Sequence, residues 1–273
     1  MKLTDQLIEA MRSEFGKSKK WYRRGILSSL GMLTLSVALI IWFEGNLAVG
    51  LGLALFLLPL ALFLSREFSM EHQDRAEKIR RSLMLADALG YRPSNIELAQ
   101  LKIDLGKMDK SEPLFDKCYY DSTVPVGAKR LIDIISESAF FTHNLSKRAG
   151  IIFGAMIAIG ILAIFSVLYT LLTLSVNYGI AVIVAKWAAL VMVFLASGDF
   201  AYLCRRYYCL SVASKEVLSK SEAFMNGESI SLEDAMKMAD DYNCAVTQSP
   251  TIPGFIYKKM LKSLNEAWRK RHA

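Results

Sequence analysis

The chain has 273 residues, 53% hydrophobic and 22% charged, with a formal net charge of +7 at pH 7. Its apolar and charged residues fall into alternating blocks, the pattern of an integral membrane protein with soluble extensions rather than of an ordinary soluble domain. Cys118, Cys204, Cys209 and Cys244 form no C-x-x-C pair, so neither a disulfide framework nor a zinc site is expected.

Residues 3–20 read as an amphipathic helix. Leu3, Leu7, Met11 and Phe15 repeat every four residues with Ile8 beside them, and Lys17, Lys19 and Lys20 crowd its end. Such a helix lies on lipid headgroups or packs on other helices. Gly16-Lys17-Ser18 matches the end of a P-loop. Met11 stands where the first glycine belongs, however, and the triplet lies in a helix rather than after a strand, so a P-loop is rejected.

Two apolar stretches come next, Gly25 to Phe43 and Leu47 to Leu64, joined by Glu44-Gly45-Asn46. Each approaches the roughly 20 apolar residues that a spanning helix needs. A signal peptide fits the first stretch poorly, because the preceding segment is long and patterned and no A-x-A site follows. Gly31, Thr34 and Ala38, and then Ala48, Gly50, Gly52 and Ala54, place small residues where paired helices approach closely. Pro59 is expected to kink the second helix.

Residues 65–89 continue that helix, with Phe68, Ala76, Ile79, Leu83, Ala86 and Leu89 as a rough stripe and Gly90 as the stop. Ser94 with Glu97 makes a capping box for a short helix over 95–106. Residues 107–124 read as a loop. A helix then runs from about Val126 into the third apolar stretch, with Leu131, Ile132, Ile135, Ala139 and Thr142 on its buried side.

The third and fourth stretches, Gly150 to Leu174 and Gly179 to Leu203, are joined by Ser175 to Tyr178. Gly150, Gly154 and Ala158 give the strongest helix-packing signal in the chain. In the tail, Ser231 with Asp234 opens a helix to about Tyr242, and Thr247 to Pro253 form a turn. A last helix runs from about Pro253 to Arg271, with Tyr257, Leu261, Leu264 and Trp268 as its docking stripe.

No strand-period run is present. The fold class expected is all-α: an integral membrane protein with four transmembrane helices in two hairpins. The divisions are an N-terminal helix over 1–24, a hairpin over 25–64, an insert over 65–149, a second hairpin over 150–203 and a tail over 204–273. Of the 33 Lys and Arg residues only Lys186 falls inside the apolar stretches. By the positive-inside rule both termini and the insert are expected on the cytoplasmic side of the membrane. Residues 1–25 carry seven basic against three acidic groups, and residues 204–273 carry 11 against eight. The excess suits anchoring to an anionic leaflet, with a polyanionic ligand as the sharper reading.

Candidate chemistry is sparse. His72, His143 and His272 have no partners at metal-ligand spacing, no G-x-S-x-G element exists, and neither enzyme activity, cofactor nor metal is expected. Lys186 lies roughly 10 Å into the fourth stretch at 1.5 Å per residue. It reads either as a snorkelling lysine or as a charge facing a pore. Ser197 shares its face, and Asp199 points nearly opposite, close to Arg205 and Arg206. The stretches are too poor in polar groups for a carrier, and four helices of one chain pack solid, so a pore would need a homo-oligomer, a tetramer being the first expectation. Tyr119, Tyr120, Lys129, Arg130 and His143 combine aromatic and basic groups near the third stretch and are candidates for nucleotide binding; a salt-bridged helical bundle with packed tyrosines is the plainer account.

Two places carry a resemblance. One is Tyr119-Tyr120, Gly127, Arg130 and Glu137-Ser138-Ala139-Phe140-Phe141. The other is Asp241-Tyr242-Asn243, Ile252-Pro253, Tyr257, Leu264-Asn265 and Trp268. With the doubled hairpin plan, these residues resemble the four-transmembrane effectors associated with SMODS nucleotidyltransferases, and the related SLATT proteins, of bacterial anti-phage systems. The resemblance implies a pore-forming effector of the bacterial inner membrane, controlled by a nucleotide or oligonucleotide from a partner enzyme. The alternative is a non-conducting membrane anchor that recruits a soluble cytoplasmic partner. A membrane enzyme acting on lipid comes last, for want of a catalytic constellation.

Overall fold

The structure, a computed structural model, describes residues 3–41, 46–91, 94, 96, 120, 122–173, 179, 182, 184–188, 199–227 and 230–272. Among the described residues there are six long helices: α1 Leu3–Ile41, α2 Asn46–Leu89, α3 Ala128–Thr173, α4 Asp199–Met225, α5 Leu232–Thr247 and α6 Gly254–His272. Among the described residues there is no strand. All but residue 96 of the expected helix over 95–106, and most of the loop over 107–124, lie outside them.

The chain divides into two compact units. The first gathers residues 1–19, 69–148 and 206–273; the second gathers residues 20–68 and 149–205. Helices α1, α2, α3 and α4 each contribute one portion to either unit.

The first unit is built around α3. Its Leu131, Ile132, Ile134, Ile135 and Ala139 are fully buried, and they pack with Met84 and Ala88 of α2 and with Met238 and Tyr242 of α5. A fully buried side chain of this size stabilises by about 1.5–3 kcal/mol. Leu7, Ile8 and Met11 of α1 form a second cluster with Ile79 and Leu83 of α2, and Phe15 packs against it. Helix α6 docks through Ile256, Leu264 and Trp268, whose ring lies 5.3 Å from that of Phe140. An Arg271–Glu222 ion pair ties α6 to α4.

Local chemistry explains the helix ends. Gly90 adopts φ +68°, the left-handed stop that only glycine takes cheaply, and its N–H bonds the Ala86 carbonyl. Gly127, at φ +148°, returns the chain: its N–H bonds Ala88 O at 2.9 Å and its carbonyl accepts from Leu131 N–H. Ser231 caps α5 by accepting from Asp234 N–H at 3.0 Å. That helix runs to Thr247, five residues beyond the end expected at Tyr242. The docking stripe of α6 also differs from expectation. Ile256 is 2% exposed, whereas Tyr257 is 39% exposed and turns its ring outward toward α1. Along α2 the buried stripe is Ala76, Ile79, Leu83 and Ala88, with Ala86 and Leu89 half-buried and Phe68 exposed. Pro59 falls inside α2 without ending it.

In the second unit α1 and α2 pair antiparallel. Trp21 meets Phe68 at 4.9 Å, Gly25 faces Leu62 and Ser65, and Gly31 faces Leu58. Helices α3 and α4 pair likewise, with Phe153 and Phe200 at 5.9 Å. A Cβ at Gly154 would stand 3.4 Å from Cys204 Sγ, and Cys204 donates to the Gly150 carbonyl at 3.5 Å. Ala158, on the same face by spacing, is exposed. Large apolar side chains of this unit also stay exposed, among them Leu57, Phe63, Ile159, Leu162 and Phe165. One helix among the described residues, over Ala128–Thr170, is long and apolar enough to cross a membrane, and only 11% of its apolar window is buried.

Ile135→Ala is expected to lower stability by about 2–5 kcal/mol through the cavity it leaves. Leu162→Ala, on an exposed face, should change it little. Chemical denaturation of both variants in detergent, followed by circular dichroism, checks the contrast.

Candidate functional site

The turn between α5 and α6 is expected to be an ordinary Pro-containing connection. Instead Ser249 and Thr251 are buried, and the turn bonds to three helices. Thr251 is 7% exposed and Ser249 8% exposed. Gln73 of α2 donates from Nε2 to the Ser249 carbonyl at 2.7 Å, which leaves Oε1 to accept from Thr251 Oγ1 at 2.5 Å. With its one hydrogen so committed, Thr251 must accept from Ser18 of α1, at 2.7 Å. Ser69 of α2 donates to the Ser18 carbonyl at 3.0 Å, and Tyr207 of α4 donates to the Thr251 carbonyl at 2.8 Å. These hydroxyls adjoin the points where α1, α2 and α4 pass from the first unit to the second in sequence.

One turn away along α1 lies Glu14, 1% exposed. Its carboxylate binds Lys17 Nζ at 2.8 Å and His72 Nδ1 at 2.7 Å. Burial pushes the Glu14 carboxyl up, but hydrogen bonds and charge from Lys17 and His72 outweigh it and hold it below the usual carboxylate range. An ionised Glu14 can only accept, so His72 donates through Nδ1.

A third cluster holds the body of α5. Arg80 and Glu77, 6% and 4% exposed, pair at 2.6 Å, and Arg80 Nη2 donates to Asn243 Oδ1 at 2.8 Å. The guanidinium lies 5.3 Å from the Tyr242 ring. Burial works against the Arg80 charge, yet the Glu77 carboxylate more than offsets it and the group stays firmly protonated. Arg81 donates to the Asn243 carbonyl at 3.2 Å and to Thr247 Oγ1, a basic group at the C-terminal end of α5. Tyr242 meets Thr142 of α3 at 2.8 Å, and burial pushes its phenol up.

Of the residues singled out from the sequence, Tyr120 adjoins this network and acts on the Arg80 charge, and the others have different bonds. Tyr120 is 5% exposed and belongs to the hydrophobic core. Arg130 donates to Val124 O at 2.7 Å and pairs with Asp87 at 2.9 Å. Lys129 is exposed and lines a cavity of about 350 Å³ with residues 124–128, Gly227 and Ile230. His143 donates from Nδ1 to Ser211 O at 2.8 Å, joining α3 to α4. It sits 13 residues beyond Arg130 on one helix, about 20 Å along the axis. The two do not converge on one ligand. Lys186 is exposed in the helical stretch 184–188. Tyr119, Ser197 and Cys118 lie outside the described residues, as does the side chain of Asp199. Among the described residues no group of His, Cys, Asp and Glu could hold a metal ion.

What this arrangement does chemically is position: it fixes the tail against α1, α2, α3 and α4 by directional bonds. Sequence reasoning missed it because Ser18, Ser69, Gln73 and Thr251 are short polar residues 51 to 233 positions from their partners, with no periodic signature. No protein-family model, curated protein or solved structure matches the chain.

Arg80→Ala leaves Glu77 buried and unpaired and is expected to cost about 3–5 kcal/mol, measured by denaturant unfolding. Pairing it with Glu77→Leu should recover part of that loss. The Glu14 value is depressed in the fold, so its contribution is complete above the ordinary carboxylate value of 4.5 and fades as pH falls through the folded value. The difference in melting temperature between native protein and Glu14→Gln should therefore shrink as the pH is lowered below about 4.5.

Proposed function

We propose that the chain is an integral membrane protein with four spans in two hairpins, both termini cytoplasmic, acting as an oligomeric pore-forming effector of bacterial anti-phage defence. A nucleotide or oligonucleotide at the cytoplasmic domain controls it. The observation that carries this reading is α3: one helix whose first part buries Leu131, Ile132, Ile134, Ile135 and Ala139 among other helices and whose last part exposes an apolar face. The buried part suits a folded cytoplasmic unit. The exposed part, from Ile151 to Tyr169, suits lipid or a second copy. The antiparallel pairing of α1 with α2 and of α3 with α4 is what two hairpins require. The resemblance drawn from the sequence supplies the defence context.

In this reading the cytoplasmic unit receives the signal and the spans respond. A ligand biases them only by its differential affinity for the closed and open states. The polar network at Thr251 supports this, because bonds of fixed direction are either made or broken and so favour two discrete arrangements over a continuum.

Purified protein in liposomes loaded with a self-quenched dye is expected to release the dye in a nucleotide-dependent manner, and Thr251→Val should change the nucleotide concentration needed. Sealed vesicles with every cyclic and linear oligonucleotide offered would overturn the pore and leave the non-conducting anchor.

A further inference from the structure

One face of α1 changes character within a single turn. Lys20, Arg23, Arg24, Leu27 and Leu30 share that face by helical spacing, and all five are exposed, Leu27 to 56%. Behind them Gly25 and Ser29 are buried, and Gly25 faces Leu62 and Ser65 of α2. Helix α2 makes the same change in the opposite direction. Leu60, Phe63 and Leu64 are exposed, and Arg66 and Glu67 follow them, also exposed. The two changes lie at one height, because Trp21 meets Phe68 and Gly25 faces Ser65. Leucine and phenylalanine on one side of a line and arginine on the other match the border between hydrocarbon and headgroups.

Arg24 is held in place on that border. Its guanidinium lies 4.4 Å from the centroid of the Trp21 ring, one turn back on α1, and Phe68 of α2 steadies that ring at 4.9 Å. Among the described residues Lys20, Arg23 and Arg24 form no ion pair with a carboxylate, and Glu67 stands in no ion pair either. Contact with a ring engages the guanidinium charge and leaves its N–H fork for oxygen acceptors. A side chain already restrained in this way loses less freedom when it binds.

We propose that Lys20, Arg23 and Arg24 dock on the phosphates of an anionic phospholipid leaflet, with Arg24, set over Trp21, as the positioned phosphodiester contact. This rests on the membrane reading given above and is independent of conduction. Charge complementarity and the neighbouring leucines choose the partner together. A soluble anion would meet the three cations and leave Leu27 and Leu30 in water, whereas an anionic lipid brings a phosphate and a hydrocarbon chain in one molecule.

Two measurements on the full chain test this. Flotation with pure phosphatidylcholine vesicles asks whether the chain enters a bilayer; a chain left at the bottom of the gradient overturns the membrane reading and this proposal with it. Native mass spectrometry of the detergent-solubilised chain, titrated with phosphatidylglycerol or phosphatidylcholine, then reads headgroup preference. Phosphatidylglycerol should bind more tightly. Arg24→Gln should weaken it about fivefold, one basic residue's share at an anionic surface, and leave phosphatidylcholine unchanged. Trp21→Leu alters no charge, yet should weaken phosphatidylglycerol about two- to fivefold by releasing Arg24. Circular dichroism checks that both variants keep their helices. Equal affinity for the two lipids, or an undiminished preference in Arg24→Gln, would overturn the proposal and leave the membrane reading standing. Displacement of bound phosphatidylglycerol by adenosine monophosphate would assign the cations to a soluble phosphate and overturn it as well.

Discussion

A hydroxyl shut away from water must find a partner, and at Ser18 that requirement ties three segments together. Ser18 is 0% exposed, and its oxygen lies between Thr251 and Ser69. Leaving any of these groups unmatched would cost about 1–3 kcal/mol, so α1, α2 and the α5–α6 turn are held in one register. Apolar packing alone would not do this. Leu7, Met11, Ile79 and Leu83 could trade neighbours along a helix face with modest loss, whereas the bond from Thr251 to Gln73 has one geometry.

The charged pairs repeat the same logic at greater cost. Glu77 and Arg80 are both buried, and a buried ion pair is a poor source of net stability. Its value here lies in what it selects. Only an α5 that presents Asn243 and Tyr242 at the right height satisfies Arg80, and only one that ends near Thr247 satisfies Arg81. The tail is thereby specified rather than merely attached. On the proposed reading as an effector, such an all-or-none attachment is what a signal at the cytoplasmic unit would act on.

Features governed by near neighbours were legible in the sequence. The Leu7, Ile8 and Met11 face, the Gly90 stop and the Ser231 cap each depend on residues within one or two turns. Features governed by distant partners were not. Tyr257 matched the helical stripe as well as Ile256 does, and only the position of α1 beside it decides which is buried. The α5 helix outruns Tyr242 because Arg81, far away in sequence, bonds to its last turn. Tyr120 has the aromatic character of a ligand platform, yet the core around Ile132 and Met238 takes it in. Polar residues in particular carry little periodic signal, so the candidates chosen for chemistry, such as Arg130 and His143, turned out to have structural bonds of their own.

Gly127 returns its backbone N–H to Ala88, one residue short of where α2 ends. The end of α2 and the start of α3 are therefore joined through main-chain atoms, with Val126 beside Gly90. Because the joint is made of backbone, replacing the Ala88 side chain leaves its bond standing, whereas any side chain at Gly127 would have to tolerate a φ of +148°. One glycine thus guards the junction of two helices.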